Sequence, residues 1–241
     1  MSTYTGDDAT AGSEVHWYFG GTEASESITI DSTDVTNGYI ALNAKAEHGS
    51  IVLKVDSVVT GCVGYSDALG TTLATDTSGV MSIKYTGIAS GQTISICYLD
   101  ISTTTLSEVA MCQDVSTSWD IDELSEDVHG QVNQVKKTGT ISQTADLKSL
   151  DYTTGFYSAF FGDAVTDASG NKIYTTKYTG SKKVGAVVGK KQTTSGVITR
   201  KYFLYGVQCT KLDKDFPASG MYTDSLTLTI DEYSEWEAAS V

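Results

Sequence analysis

Proline is nearly absent from this chain: one residue in 241, against 23 glycines. Its turns must therefore come from glycine and short polar residues, and the abundance of Val, Ile, Tyr, Thr and Ser points to strands rather than helices. No run approaches the roughly 18 consecutive apolar residues that a membrane-spanning helix needs. That excludes a membrane partner of the helical kind. Basic residues are also scarce, 16 against 30 acidic, for a formal charge of −14. Such a chain does not seek nucleic acid by counterion release. It repels DNA, stays dispersed, or suits a salty medium. The imbalance is uneven: residues 1–112 carry 13 acidic and 3 basic side chains, residues 113–241 carry 17 and 13. Four cysteines are present, Cys62, Cys97, Cys112 and Cys209. None forms a C-x-x-C pair, so zinc is not suggested. All lie in apolar or β-like runs and read as buried free thiols, which fits assembly inside a cell. The opening MSTYTGDDATAGSE lacks the basic and apolar regions of a signal peptide and reads as a flexible arm.

What the chain does contain is a series of short alternating runs. Glu14–Phe19, Ser27–Ile30, Tyr39–Ala46, Ser50–Val59, Cys62–Tyr65, Val80–Tyr85 and Thr93–Tyr98 read as strands, with Glu47-His48-Gly49 as a tight turn. Their spacing argues for an antiparallel sandwich or barrel. Ser102–Glu108 is thinly patterned, and the boundary between an amino-terminal β-rich domain or extension (1–112) and a second β domain (113–241) is placed near Cys112. Beyond it, Gln113–Asp122 alternates as a strand, and Asp122–Asp127 reads as an acidic loop. Asp167–Asn171 reads as a hairpin tip, with Ile173–Tyr178 returning. Val184–Gly189, Gly196–Val207 continued by Gln208–Lys214, and Met221–Ile230 are further strands. Asp231–Val241 is an acidic carboxyl-terminal arm. No repeat of solenoid or propeller period is visible.

The chain is organised around Lys136–Gly162. Thr138, Thr140 and Ser142 alternate with Gly139, Ile141 and Gln143, as in a strand. Then Ser149 or Asp151 offers an amino-terminal cap and Gly162 a left-handed carboxyl-terminal cap, bounding a helix over 151–161. Tyr152, Phe156 and Phe160 fall on one face of it. A helix of about ten residues is marginal alone in water, so these aromatics are expected to cover a sheet. The expected fold is mainly β: an antiparallel sandwich or half-barrel with one flanking short helix.

A search for chemistry finds only near misses. Gly64-Tyr65-Ser66-Asp67-Ala68 lacks the second glycine of a nucleophile elbow. Gly185 to Lys191 has three residues between its glycines where a phosphate loop needs four. The acidic stretch Asp120–Asp127 has Ser125 and Gln131 where a calcium loop needs glycine and glutamate. His16, His48 and His129 share no ligand spacing. No catalytic residue, metal site or cofactor is expected, and the chain is read as a non-enzyme.

The carboxyl-terminal half resembles the major tail (tail tube) proteins of siphovirus-type tailed phages and archaeal tailed viruses. The resembling stretches are Asp127-Val128-His129-Gly130-Gln131, the strand into Ala145–Tyr152, and the end of the helix at Phe161-Gly162. They continue through Val184–Lys190, Gly206-Val207 to Asp215-Phe216-Pro217, and Met221–Leu226 leading to the last strand. The resemblance implies a subunit that forms homo-oligomeric rings, hexameric or trimeric, stacked into a tube alongside other tail proteins. Double-stranded DNA would pass through its acidic lumen without specific binding. The location implied is the virion tail, assembled in the host cytoplasm. Asp120, Asp122, Glu123, Glu126 and Asp127, with Asp231, Glu232, Tyr233 and Trp236, are the implied inter-subunit contacts. Residues 1–112 exceed what a minimal tube subunit needs, and read as an outward-facing domain or as a source of further tube strands. Two other readings stay open: a β-sandwich that binds carbohydrate or a receptor, and another virion structural protein of capsid or decoration type.

Overall fold

A computed structural model of the chain describes residues 14–112, 114–126, 135–152, 159–160, 165–173, 183–193, 195–215 and 223–238. Residues 1–13 of the expected arm, Asp127, Phe156, Phe161-Gly162 and the turn around Pro217 (216–222) lie outside them, while Glu14 opens the first strand. The strands in chain order are β1 (Glu14–Phe19), β2 (Thr22–Thr29), β3 (Ile40–Ala46), β4 (Val52–Val55), β5 (Val58–Thr60), β6 (Val63–Tyr65), β7 (Val80–Lys84), β8 (Thr93–Asp100) and β9 (Ser107–Cys112). They continue with β10 (Asp114–Glu126), β11 (Val135–Tyr152), β12 (Val165–Thr166), β13 (Lys172–Ile173), β14 (Lys183–Gln192), β15 (Ile198–Asp215), β16 (Thr223–Ile230) and β17 (Glu232–Glu237). The fold is mainly β and antiparallel, as the composition implies. No helix among the described residues is long and apolar enough to cross a membrane.

Two large sheets share the chain unequally. The first runs β10-β11-β16-β15-β14-β1-β9, with β17 added on β15. It curls into a half-barrel until β9 meets the far end of β11, where Met111 faces Asp151 and Ala110 faces Tyr152. The second sheet holds β2 to β8. Sheet membership therefore changes at residues 20–21 and again after Asp100, not at 112. Both β1 and β9 lie in the carboxyl-terminal sheet, and residues 22–100 form a lobe inserted between them. Extended strands far apart in sequence carry no local mark of which sheet they join, which is why the boundary read near Cys112 does not coincide with the sheets.

Each sheet encloses a core. Val15, Trp17, Ala145, Leu147, Phe160, Leu204, Leu226 and Leu228 fill the half-barrel. Burial of the valine, leucine and phenylalanine side chains among them is worth about 1.5–3 kcal/mol each. In the lobe, β8 pairs along its length with β2 and β4, but it touches β3 only at Ala46 opposite Asp100. The lobe thus has two layers, joined at Ala46, with Ile40, Leu53, Ile83, Ile94 and Ile96 between them. A third cluster, Leu99, Ala186, Val188, Phe203 and Tyr205, glues lobe to half-barrel.

The strands β14 and β15 serve both cores, and their facing side changes at the opposed Gly185 and Gly206. Val187 and Leu204 face the half-barrel on one side of the opposed pair Gly185 and Gly206; Val184 and Val207 face it on the other. The inward parity of both strands changes there. Gly206 takes a left-handed φ of 59°, a conformation that a side chain resists.

Several local expectations change. Tyr152 closes an 18-residue strand, not a helix, because β11 runs unbroken from Val135 to Tyr152. Pairing on both edges overrides the capping signal at Ser149 and Asp151. Ala159 and Phe160 are helical, and Phe160 is buried, edge-on to Phe19 at 5.0 Å. Asp122–Glu126 is strand, not loop, paired with β11 out to Glu126 opposite Val135. Ser50–Val59 is broken at Asp56 and Ser57, both at positive φ, into the hairpin β4–β5. The Glu47-His48-Gly49 turn forms, but it connects strands that do not pair with each other. A helix was missed entirely: α1 (Ser32–Asn37), opened by an Asp31–Asp34 capping box and closed by Gly38 in the left-handed region. The Asp167–Asn171 tip lies between β12 and β13 as expected.

Candidate assembly surfaces

The acidic candidates lie on two different edges of the half-barrel. Asp120, Asp122, Glu123 and Glu126 belong to β10, the terminal strand of the sheet path. Asp120 faces Ser142, Glu123 faces Thr138, and the register slips between them, where Asp122 lies opposite two residues of β11, Gly139 and Thr140. Such a bulge increases local twist. Among the described residues β10 ladders with β11 alone, and its other long edge has no partner strand among them. An edge of this kind is a template for another chain.

Asp231, Glu232, Tyr233 and Trp236 lie around β17, and β17 pairs within the chain. Residues 232–237 ladder antiparallel with Tyr205 back to Arg200. Asp231 sits at the corner between β16 and β17, and its N–H donates to the Tyr205 carbonyl at 2.9 Å. Tyr233 packs on the half-barrel core and donates its hydroxyl to Glu235 at 2.7 Å. Glu232 borders a crevice with Glu23 and Tyr205 between lobe and half-barrel. Trp236 joins the cluster between the two bodies. The terminal segment is therefore a clasp laid along β15.

Under that clasp lies a charged junction that the sequence reading did not find. Lys201 is 0% exposed, and its ammonium contacts the Glu47 carboxylate at 3.0 Å and Asp76 at 2.8 Å. It also donates to the His48 carbonyl at 2.8 Å. Lys190 reaches the same Glu47 oxygen at 2.8 Å. Trp236 covers the group, its ring 5.5 Å from the Lys201 ammonium and edge-on to His48 at 5.3 Å. Two lysines from the half-barrel thus meet two carboxylates from the lobe. Buried charges are tolerable only when paired and hydrogen-bonded in this way. Burial pulls the Asp76 carboxyl upward, but the hydrogen bond and charge of Lys201, helped by His48, hold it below its ordinary value. The available signal was a lysine in the middle of the apolar run VITRKYFLYGV, at the same strand parity as the buried Phe203 and Tyr205.

The four cysteines are free. Cys112 and Cys209 are buried, and Cys62 and Cys97 partly so. Burial pushes the Cys62 and Cys209 thiols up to about 11, which keeps them protonated and unreactive at neutral pH. Trp17 donates its indole N–H to the Cys112 sulfur at 3.0 Å.

No known protein family matches the chain, and neither does any curated protein. Among solved structures, it is similar to a chain of the anti-feeding prophage (AFP) baseplate, determined by cryo-EM with six-fold symmetrisation. That match has 8% identity and a TM-score of 0.30, covering 55% of this chain and 85% of that one. It is also similar to a chain of the sheath-tube complex of an extracellular contractile injection system (PVC) in the extended state. There the identity is 14% and the TM-score 0.32, over 54% of this chain and 88% of that one. Likeness at this level assigns no role.

Proposed function

We propose that the chain is a structural subunit of a virion tail or tail-like particle, which self-assembles into hexameric or trimeric rings stacked as a tail tube. Other tail proteins cap or extend the stack, and double-stranded DNA passes through an acidic lumen without specific binding. The observation that carries this reading is the edge of β10 that is unpaired among the described residues, on a half-barrel where β9 and β11 meet. A neighbour's strand laid on that edge would satisfy its peptide groups and propagate the sheet from subunit to subunit. The charge of −14 supports the same reading, since like charge keeps DNA from adhering to a wall. The acidic residues of β10, and the segment Asp231–Trp236 if it exchanges onto a neighbour, are the proposed contacts.

Proline at consecutive positions of β10 tests this. In Thr117→Pro and Ser118→Pro, one lost N–H faces β11 and the other faces outward, because strand N–H groups alternate in direction. The variant that keeps its circular dichroism blocks only the free edge. It is expected to remain dispersed in negative-stain microscopy under conditions where the parent chain forms rings or tubes. Normal rings from that folded variant would overturn the reading.

A further inference from the structure

Lys201 is a primary amine shut away from water with a carboxyl group against it. Its side chain is 0% exposed, and its ammonium lies 2.8 Å from Asp76 Oδ1 and 3.0 Å from Glu47 Oε1. The third donor goes to the His48 carbonyl at 2.8 Å, so every N–H of the ammonium has a partner. Asp76 Oδ1 also takes His48 Nδ1 at 3.2 Å. A carboxylate only accepts, so that ring nitrogen carries the proton. Trp236 closes the site from β17, where it stands opposite Lys201 in the strand register.

The two carboxylates are not equivalent. Glu47 is 4% exposed, and its Oε1 meets a second ammonium, Lys190, at 2.8 Å. When Lys201 gives up a proton, Lys190 still balances the Glu47 charge. Among the described residues no second lysine or arginine pairs with Asp76, whose side chain is 30% exposed and leaves water a way out. A proton passed from Lys201 to Asp76 turns a buried ion pair, which is costly to desolvate, into a neutral amine beside a neutral carboxylic acid. Those are the two reactants of an amide. Groups held in contact react at effective molarities of up to about 10⁵–10⁸ M, and a desolvated lysine is a nucleophile.

We infer that Lys201 and Asp76 condense to an isopeptide bond that ties β15 of the half-barrel to the lobe. Nζ attacks Cγ of the protonated Asp76 carboxyl, and the Nζ–Cγ bond forms. Glu47 accepts the proton that Nζ then sheds and returns it to the departing Oδ1 hydroxyl. The Cγ–Oδ1 bond breaks and water leaves. Ammonium plus carboxylate have become amide plus water, with Glu47 unchanged and no oxidant or co-reactant consumed. The ion-paired site is the precursor, the state of freshly folded chain. The link goes beyond the assembly reading and does not depend on it, since a lone monomer can make it. It renders the attachment of the lobe covalent, and a cross-link between residues 76 and 201 also restricts the unfolded chain.

Intact-mass spectrometry of the full chain, sampled while folded protein is incubated at neutral pH, tests the link. The folded chain is expected to become lighter by one water, and the same chain kept in urea to hold its mass. Trypsin should then release a branched peptide, residues 55–84 joined through Asp76 to residues 201–211, because an amidated Lys201 is no longer cleaved. Lys201→Arg keeps the positive charge and should abolish the loss. Glu47→Gln should slow it by about 100-fold, the contribution of a positioned proton acceptor. The parent chain decides alone if either variant misfolds. A folded parent whose mass never falls, with Lys201 cleaved as an ordinary lysine, would overturn the link. So would a loss of water that leaves peptide 55–84 unbranched, which would mark a cyclic imide within that peptide.

Discussion

Lys201 and Glu47 are 154 residues apart in the chain and 3.0 Å apart in space. The pair joins β15 of the half-barrel to the turn after β3 of the lobe. Lys190 shares the same carboxylate, and Asp76 takes the other side of Lys201. The lobe is therefore fastened by ion pairs as well as by the apolar cluster around Leu99 and Phe203.

Removing one side of a buried ion pair costs about 3–5 kcal/mol, because the partner is left charged and dry. Glu47→Leu should fall in that range, since Lys190 and Lys201 both lose it. Lys201→Met should cost less, because Glu47 keeps Lys190 at 2.8 Å. Urea unfolding of both variants checks the order; equal losses would count against the shared-carboxylate geometry.

Acid should loosen the same junction. The Asp76 carboxyl titrates lower in the folded chain than its ordinary 3.8. A group whose folded value is depressed contributes stability above its unfolded value and loses it as pH falls through the folded one. Asp76→Asn should therefore flatten the stability profile below about pH 4, and change little in its shape at higher pH. An unchanged acid limb in the variant would show that Asp76 does not couple to folding.

Gly206 should tolerate no side chain. A Cβ there would overlap the Asp231 carboxylate, and the φ of 59° is strained for any L residue. Gly206→Ala is expected to cost at least about 1–2 kcal/mol from the backbone alone. Adding Asp231→Ala should recover the steric part and leave the backbone part. Thermal melts of the single and double variants separate the two.

Ser57 is the opposite case. It occupies the left-handed region at φ 72° with its side chain in solvent. Ser57→Gly removes a strain of about 1–2 kcal/mol, offset by about 0.5–1 kcal/mol of glycine's extra unfolded-chain entropy. The variant should be more stable by up to about 1 kcal/mol. A lowered midpoint in urea would contradict the turn geometry.

Sequence alone determined the class of this protein. One proline, abundant β-branched and aromatic residues, and period-two runs such as Ile94–Tyr98 and Leu226–Ile230 dictate antiparallel strands, because alternation is a property of the strand itself. Phe160 was legible as a core residue from a different local signal, the i, i+4 aromatic spacing of a helix face. Tertiary structure decided what depends on distant pairing. Tyr152 became strand because β9 and β11 meet there, and β17 became a clasp because the edge of β15 was open to it. Residues 22–100 became an insertion because β1 and β9 found partners beyond residue 135. Lys201 was legible only as a lysine in an apolar strand. Its burial follows from two carboxylates that the lobe brings to it, and no local pattern within β15 encodes a partner 154 residues away.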